Sequence, residues 1–333
     1  MRRLRILTWH IHGSYLYYLG HAPHDFVVPI RPGRPPGYSG LPAGPFPWPR
    51  NLREVPEDAI PQLKLDCVLY QSRIQYDEDR HHVLTPEQRR LPAIFLEHDP
   101  PREHPTDTRH LVDDPGVLLV HVTPFNALMW DSGRTPVQVI EHGVIVPRNA
   151  KYTGELPCAI AVVNHIARRG RRLGCDILEA ARLEVPIELV GMESQAVGGI
   201  GEVPHDRLPA FESRYRVFFN PIRYTSLGLA VCEAMMIGMP VVAIATTEMS
   251  TVVVSDVTGY VGTRLEQLIG YLQILLQDSE RARWLGENAR IKALERFSIG
   301  RFVQDWNRAF SLVTGAPIQP PRTMLVRRIT SMA

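Results

Sequence analysis

The most informative segment of the sequence reads Thr225-Ser226-Leu227-Gly228-Leu229-Ala230-Val231-Cys232-Glu233-Ala234-Met235-Met236-Ile237-Gly238-Met239-Pro240-Val241-Val242-Ala243. Its first part predicts an apolar helix that Thr225 or Ser226 caps and that stops at Gly238. Pro240 then opens an apolar run of strand length. A helix that leads into a buried strand is typical of a βαβ unit, so the segment predicts a parallel sheet.

Apolar runs of similar length recur along the rest of the chain. They cover residues 4–9, 26–30, 67–70, 93–96, 117–122, 137–140, 159–163, 187–190, 217–219 and 240–245. Runs without alternation fit strands that are covered on both faces, and the segments between them have helical patterns. Because βαβ crossovers are right-handed, the expected architecture is α/β with open, doubly wound parallel sheets.

The length of the chain predicts two such sheets, since its 333 residues correspond to two domains of ordinary size. The polar stretch 146–151 separates the two sets of runs. We therefore predict two Rossmann-like domains that face a cleft, one over residues 1–148 and the other over 151–300. A helix over about residues 301–316 is aromatic on one face and is predicted to pack back on the first domain.

The composition argues against several classes of protein. Lys plus Arg number 37 and Asp plus Glu 35, and this balance argues against a strongly basic nucleic-acid-binding protein. Four scattered cysteines without a CxxC argue against a disulfide framework or a zinc site. No apolar run fits a signal peptide or a membrane span, which predicts a cytoplasmic protein. Arg322, Arg327 and Arg328 mark either a solvated tail or a weak contact with the inner face of an anionic membrane.

Ligands of open α/β sheets bind at the carboxyl ends of the strands, so the residues that follow each run are candidates for a site. In the first domain these residues are His10, His12, Gly13, Tyr15, His98, Asn126 and His142. Three strands thus deliver histidines to one edge, which predicts a site there. The proline- and glycine-rich stretch 31–49 follows a strand of this domain and is either a lid over an acceptor or a packing strap.

The second domain presents charged groups at its strand ends. Asn164 precedes four arginines at positions 168, 169, 171 and 172, which form either an exposed face or an anion site, because the fork of Arg matches phosphate oxygens. The start of the helix after Thr225 offers free N–H groups and a positive dipole end, which suit a diphosphate. Glu233 lies two turns into that apolar helix. A buried carboxylate needs a partner, and ribose hydroxyls are good candidates.

These residues carry a resemblance to the retaining glycosyltransferases of family 4, also called group 1, which have the GT-B fold. The strongest matches are Leu227-Gly228-Leu229, Glu233-Ala234-Met235, Gly238 and Pro240-Val241-Val242-Ala243, followed by Glu97-His98-Asp99, Glu141-His142-Gly143-Val144 and Thr258-Gly259-Tyr260. The resemblance extends over roughly residues 4–306. It implies transfer of a sugar, with retained anomeric configuration and without a metal or cofactor, from a nucleoside-diphosphate sugar to a glycan or lipid-linked acceptor. The implied setting is the synthesis of surface polysaccharide or glycolipid.

The resemblance also implies roles for individual residues. His98 would line the sugar pocket, and Arg168 or Arg172 would act at the diphosphate. Glu233 would hold the ribose, and Gly13 would let the backbone approach the phosphate. The other implied donor-side residues are Asn164, Arg169, Thr225, Ser226, Leu227, Gly228 and Leu229, and the acceptor-side candidates are His10, His12, Tyr15 and Asn126.

Two positions depart from the family pattern. Thr225 stands where the first of two paired glutamates belongs, and Glu248-Met249-Ser250-Thr251 replaces a Gly-Gly pair and a following glutamate. Either donor-sugar recognition differs or transfer is lost, which leaves a non-catalytic sugar-nucleotide-binding or scaffold protein as an alternative. An epimerase or a phosphorylase of the same fold is another alternative. A nicotinamide-dependent oxidoreductase is less favoured because no glycine fingerprint opens the first domain.

Overall fold

A computed structural model describes residues 2–44, 46–147 and 149–317 of the chain. Within these residues the chain forms two parallel sheets, which confirms the predicted α/β class. The strands are β1 (Arg5–Thr8), β2 (Asp25–Ile30), β3 (Leu52–Pro56), β4 (Cys67–Tyr70), β5 (Ala93–Glu97), β6 (Val117–His121), β7 (Val137–Val139), β8 (Leu156–Val162), β9 (Ile187–Val190), β10 (Tyr215–Asn220), β11 (Val241–Ile244) and β12 (Gly259–Gly262).

The α-helices lie between these strands in the chain, apart from the last three, which follow β12. They are α1 (Gly13–Leu19), α2 (Arg80–Val83), α3 (Pro124–Met129), α4 (Ile166–Arg169), α5 (Cys175–Arg182), α6 (Leu208–Glu212), α7 (Leu229–Ile237), α8 (Met249–Val252), α9 (Leu265–Gln277), α10 (Ser279–Arg296) and α11 (Ile299–Thr314). No helix among the described residues is long and apolar enough to cross a membrane.

The strand order of each sheet determines where a ligand would bind. The first sheet has the order β3-β2-β1-β4-β5-β6-β7, and the second has the order β12-β11-β10-β8-β9. The order reverses between β1 and β4 in the first sheet and between β8 and β10 in the second. Ligands of open α/β sheets bind at such switch points. The loops after β1, β8 and β10 are therefore the loops that the topology favours for a site.

Two strands escaped the sequence pattern. The edge strand β3 is only partly buried and includes the charged residues Arg53 and Glu54, so it forms no continuous apolar run. The strand β12 begins and ends with glycine, which is disfavoured in strands. Both strands instead depend on pairing with a buried neighbour, β3 with β2 and β12 with β11.

The helix after Thr225 starts later than the sequence predicts. Its cap is Gly228 in an extended conformation, and no side chain accepts a capping hydrogen bond. The cap predicted at Thr225 or Ser226 is therefore wrong. Burial of Leu227 explains the difference, because its carbonyl accepts a hydrogen bond from His142 and the helix begins only after the extended Gly228. Gly238 ends the helix as predicted, with the left-handed φ of 101° that favours glycine.

The helix α11 lies against the first sheet although it follows the second one in the sequence. Its aromatic residues Phe302, Trp306 and Phe310 are buried, and the indole of Trp306 donates a hydrogen bond of 3.1 Å to the hydroxyl of Tyr15. Since β7 ends at residue 139 and β8 begins at residue 156, the polar stretch 146–151 lies between the sheets. The predicted membrane contact at Arg322, Arg327 and Arg328 lies outside the described residues.

Candidate functional site

Loops from the two sheets touch each other at their carboxyl edges. The hydroxyl of Tyr224 donates to the carbonyl of Pro101 at 2.8 Å, which joins the loop before α7 to the loop after β5. The Nε2 of His142 lies 2.7 Å from the carbonyl oxygen of Leu227 and donates to it, which joins the same loop to the residues after β7. The two sets of candidate residues therefore belong to one cleft.

His98 follows β5 and is oriented by a buried glutamine. The Nε2 of Gln71 donates to the hydroxyl of Thr8 and to the carbonyl of Trp9, both at 2.8 Å, so its Oε1 faces His98. The Nε2 of His98 therefore carries the proton and donates to Oε1 at 3.0 Å. Burial lowers the pKa of His98 well below its ordinary value, and the ring of His12, 4.4 Å away, adds to this effect. His98 is thus a neutral imidazole whose Nδ1 can accept a hydrogen bond.

The described residues of the stretch 31–49, which we call the strap, are packed onto the carboxyl edge of the first sheet, which we call the first edge. The Nδ1 of His10 donates to the carbonyl of Gly40, so His10 holds the strap and does not face an acceptor as predicted. The strap also covers Gly13, because a Cβ on this residue would lie 2.9 Å from Cε2 of Phe46. The packing requires a residue without a side chain at this point.

Two of the predicted acceptor-side residues support the site from beneath. Tyr15 is 1% exposed, and its hydroxyl accepts the hydrogen bond of Trp306. Asn126 is fully buried, and its Nδ2 donates a hydrogen bond of 3.3 Å to the carbonyl of His98. Neither side chain reaches an acceptor, so these two predictions are wrong in this arrangement. His12 is different because the residue reaches the surface, while its ring lies 4.4 Å from the ring of His98 and burial of the ring lowers its pKa.

The four arginines at positions 168, 169, 171 and 172 lie at the carboxyl edge of the second sheet, which we call the second edge. They fall into two classes. Arg171 donates to Asp176 at 2.6 Å, and Arg168 lies 3.9 Å from the exposed carboxylate of Glu193. Both of these guanidinium groups are themselves exposed. They therefore behave as a solvated face rather than as an anion site, and the role predicted for Arg168 is not favoured by the geometry.

Arg169 and Arg172 have no acidic partner among the described residues. Both are half-buried. Burial lowers the pKa of Arg172, and the positive charges of Arg102 and Arg169 lower it further. Arg102 lies on the loop that follows His98 and forms an ion pair with Asp99. Three guanidinium groups therefore converge where the edges meet, with Asp99 as the nearby carboxylate, and this excess of positive charge suits an anion.

The loop between β10 and α7 presents its backbone to this region. Thr225, Ser226 and Gly228 are half-buried, whereas Leu227 is buried. A Cβ on Gly228 would meet no atom within 4 Å, so the space beside the start of α7 is open. Asn164 does not reach this space with its Oδ1, which accepts a hydrogen bond of 2.9 Å from the amide of Met192.

Glu233 lies in α7 with only 4% of its surface exposed, and two side chains bind it. Its Oε1 accepts a hydrogen bond of 2.5 Å from the hydroxyl of Tyr18 and lies 3.3 Å from the Nε2 of His205. Tyr18 belongs to α1, so the contact joins the first edge to the second. The sequence offered no signal for this contact, because the two residues are 215 positions apart.

A second carboxyl group missed by the sequence analysis is Glu212, at the end of α6. It is 1% exposed, and neither of its oxygens has a hydrogen-bond partner in the part of the chain that the structure describes. Burial raises the pKa of Glu212 well above its ordinary value, and the negative charge of Glu233 raises it further. The neutral, protonated form of Glu212 is therefore favoured.

The segment that departs from the family pattern contains a strut between the two edges. One oxygen of Glu248 accepts a hydrogen bond of 2.8 Å from Arg296. The other accepts a hydrogen bond of 3.0 Å from the amide of Phe125 at the start of α3. Arg296 also binds Glu141. The preceding residue, Thr247, has a left-handed φ of 51°, a conformation that favours glycine.

Comparison with known proteins supports the fold and a family for part of the chain. Residues 176–292 match the family described as Glycosyl transferases group 1. No curated protein matches the sequence. Sucrose-phosphate synthase from Thermosynechococcus elongatus has a TM-score of 0.70 and 16% identity, with 95% of this chain and 100% of that chain covered.

Two further solved structures have the same architecture. Anabaena HepE, solved in complex with UDP-glucose, has a TM-score of 0.66 and 14% identity over 93% of this chain and 100% of its own. AviGT4, a glycosyltransferase involved in avilamycin A biosynthesis, has a TM-score of 0.59 and 14% identity over 94% and 99%. These likenesses confirm the predicted GT-B fold.

Proposed function

We propose that this chain is a retaining, metal-independent glycosyltransferase. It moves a sugar from a nucleoside-diphosphate sugar to a hydroxyl of a glycan or glycolipid acceptor, and it needs no cofactor besides this donor. The observation that carries the proposal is the pair of half-buried cations Arg169 and Arg172, which have no acidic partner within 4 Å in the described residues. The backbone of Arg172 binds the loop before α7, and its charge interacts with those of Arg102 and Asp99 on the loop after His98. The match of residues 176–292 to group 1 and the UDP-glucose complex of HepE support the same donor class.

The charges of the second edge suit the leaving group. As the bond between the sugar C1 and the phosphate oxygen breaks, negative charge builds on the diphosphate. Arg169 and Arg172, with the free N–H groups at the start of α7, would stabilise that charge. We assign the amides of Gly228 and Leu229 to the phosphates and the carboxylate of Glu233 to the ribose.

The first edge would hold the sugar and the acceptor. The Nδ1 of the neutral His98 would accept a hydrogen bond from a hydroxyl of the donor sugar. The acceptor hydroxyl would attack C1 from the face that the diphosphate leaves, and its proton would pass to a departing phosphate oxygen. This course retains the anomeric configuration. Exclusion of water between the edges would limit hydrolysis of the donor.

The test is an assay with the purified chain, UDP-, GDP- and ADP-sugars, and a panel of glycan and glycolipid acceptors, in buffer containing EDTA. We expect one donor to give a product whose new linkage has the anomeric configuration of the donor, as measured by NMR. An inverted product, or a transfer that EDTA abolishes, would contradict the proposed mechanism.

A second candidate function is a non-catalytic sugar-nucleotide-binding or scaffold protein. Thr225 favours it, because a half-buried hydroxyl replaces a family carboxylate beside the donor site, and so does Thr247 at a position that favours glycine. Binding of a nucleotide sugar without turnover across the acceptor panel would support this function. Conversion of the donor without an added acceptor would point instead to an epimerase.

A further inference from the structure

Resting on the proposed function, we propose that Tyr18 is a positioning residue for nucleotide binding. It holds one oxygen of Glu233 so that the other oxygen binds the ribose hydroxyls of a nucleoside diphosphate. The assignment gives α1 of the first sheet a part in a recognition step that otherwise belongs to the second sheet.

The hydrogen bonds on Glu233 are unevenly distributed. Both of its contacts, from Tyr18 at 2.5 Å and from His205 at 3.3 Å, fall on Oε1. A carboxylate oxygen offers about two lone-pair sites, and these two neighbours lie on Oε1. The Nε2 of His205 also lies 3.4 Å from the Tyr18 hydroxyl, so all three groups form one cluster around Oε1. Oε2 accepts no hydrogen bond from the described part of the chain. A pair of adjacent ribose hydroxyls can therefore be bound only through Oε2 while Tyr18 stays in place.

Packing fixes Tyr18 in this role. Its side chain is 1% exposed and belongs to the core under the first sheet. Burial and the charge of Glu233 raise the pKa of the Tyr18 phenol well above its ordinary value, so the hydroxyl is a donor at any working pH. The groups that face Glu233 from other elements are His205, on the loop before α6, Glu212 and His142, whose Nε2 donates to Leu227 instead. Among the described residues, Tyr18 is thus the group from the first sheet that donates a hydrogen bond to Glu233.

The same contact has a competing interpretation, in which Tyr18 blocks the ribose site and must leave before a nucleotide enters. The two interpretations predict opposite results for the loss of the hydroxyl. Positioning predicts weaker binding of ribonucleotides, and blocking predicts tighter binding. A merely structural role predicts an equal effect on nucleotides with and without ribose hydroxyls.

The test compares Tyr18→Phe with wild type by titration calorimetry, using UDP, GDP and ADP and their 2′,3′-dideoxy forms. For the diphosphate that binds wild type best, we expect Tyr18→Phe to weaken binding roughly tenfold. The dideoxy form should change less than about twofold, because it has no hydroxyl for Oε2 to bind. His205→Gln should show the same selective loss to a smaller extent, since its contact is longer.

Tyr17→Phe is the matched control, because Tyr17 is the neighbouring residue of α1 and its hydroxyl has no hydrogen-bond partner in the described residues. Equal losses for both nucleotide forms, or a gain in affinity, would overturn the assignment. If wild type binds none of the three diphosphates, the proposed function fails, and the role of Tyr18 fails with it. If wild type binds and Tyr18→Phe leaves the preference for ribose unchanged, only the role of Tyr18 fails.

Discussion

The two edges of the cleft differ in the charge of their central side chains. At the first edge, His98 is a neutral ring whose proton is fixed by Gln71, in a setting of packed aromatic rings. At the second edge, Arg169 and Arg172 are half-buried cations without an acidic partner in the described residues. The difference indicates a division of labour, in which a neutral and ordered surface orients a sugar and a charged surface accepts a diphosphate.

The largest effect is expected from removing the charge of the second edge. Arg169→Gln combined with Arg172→Gln should lower transfer at least roughly a thousandfold, because one donor to a developing anion is worth about 10² to 10³ in rate. The measurement is kcat/KM with the best donor. Arg171→Gln is the control, since Arg171 is exposed and paired with Asp176. A double variant with activity near that of the control would place the diphosphate elsewhere.

The first edge should respond differently to the loss of its central side chain. His98→Ala is expected to lower kcat/KM roughly 10- to 100-fold through loss of a hydrogen bond to the sugar, while the affinity for the free nucleoside diphosphate stays the same. Calorimetry and steady-state kinetics on the same preparation measure both quantities, with the exposed His81→Ala as the control. If nucleoside diphosphate binding falls in parallel with transfer, the edges do not divide the labour as proposed.

The strut that joins the edges should contribute to stability rather than to chemistry alone. Glu248→Ala removes the partner of Arg296 and of the Phe125 amide, and we expect a loss of about 2 kcal/mol in the free energy of unfolding. Urea unfolding measures this change. Glu155→Ala breaks the exposed ion pair with Arg214 and should cost less than about 0.5 kcal/mol. Equal effects of the two substitutions would mean that the strut is no stronger than a surface ion pair.

The smallest expected effect is a pH dependence of the free energy of unfolding, which arises from Glu212. Burial raises the folded-state pKa of Glu212 well above its unfolded value of about 4.3, so its contribution to stability is complete below that pH and is lost as the pH rises. Glu212→Gln removes this loss.

The stability of Glu212→Gln relative to wild type should therefore increase by at least about 1.4 kcal/mol between pH 4.5 and pH 7.5. Urea unfolding at both pH values measures the change, with the exposed Glu184→Gln as the control. A difference that does not vary with pH would show that Glu212 is ionised in the folded chain.

Much of the fold was predictable because buried parallel strands leave continuous apolar runs. The strands β3 and β12 were not predictable in this way, because β3 is a partly charged edge strand and β12 contains two glycines. The residues after the strands were also predictable as a group, because topology brings carboxyl ends together. Whether each side chain is free to bind a ligand was not predictable. A sequence pattern does not show that Tyr15 and Asn126 are buried or that Arg168 and Arg171 have acidic partners.

The contacts across the cleft were beyond any local pattern. Tyr18 and Glu233 meet only because the two sheets face each other, and the strut at Glu248 joins residues of both sheets. The start of α7 was misplaced for a similar reason. A hydrogen bond from His142, far away in sequence, fixes the carbonyl of Leu227 just before the extended cap Gly228.

The most direct test of the nucleotide-sugar site is a thermal-unfolding panel of UDP, GDP, ADP and their sugars, with and without EDTA. One nucleotide at 100 times its dissociation constant should add about 2.7 kcal/mol to the free energy of unfolding of wild type. We expect EDTA to leave this gain unchanged and the double substitution of Arg169 and Arg172 to abolish it. If no nucleotide raises the unfolding temperature of wild type at millimolar concentration, the cleft does not bind a nucleotide sugar, and the proposed function is contradicted.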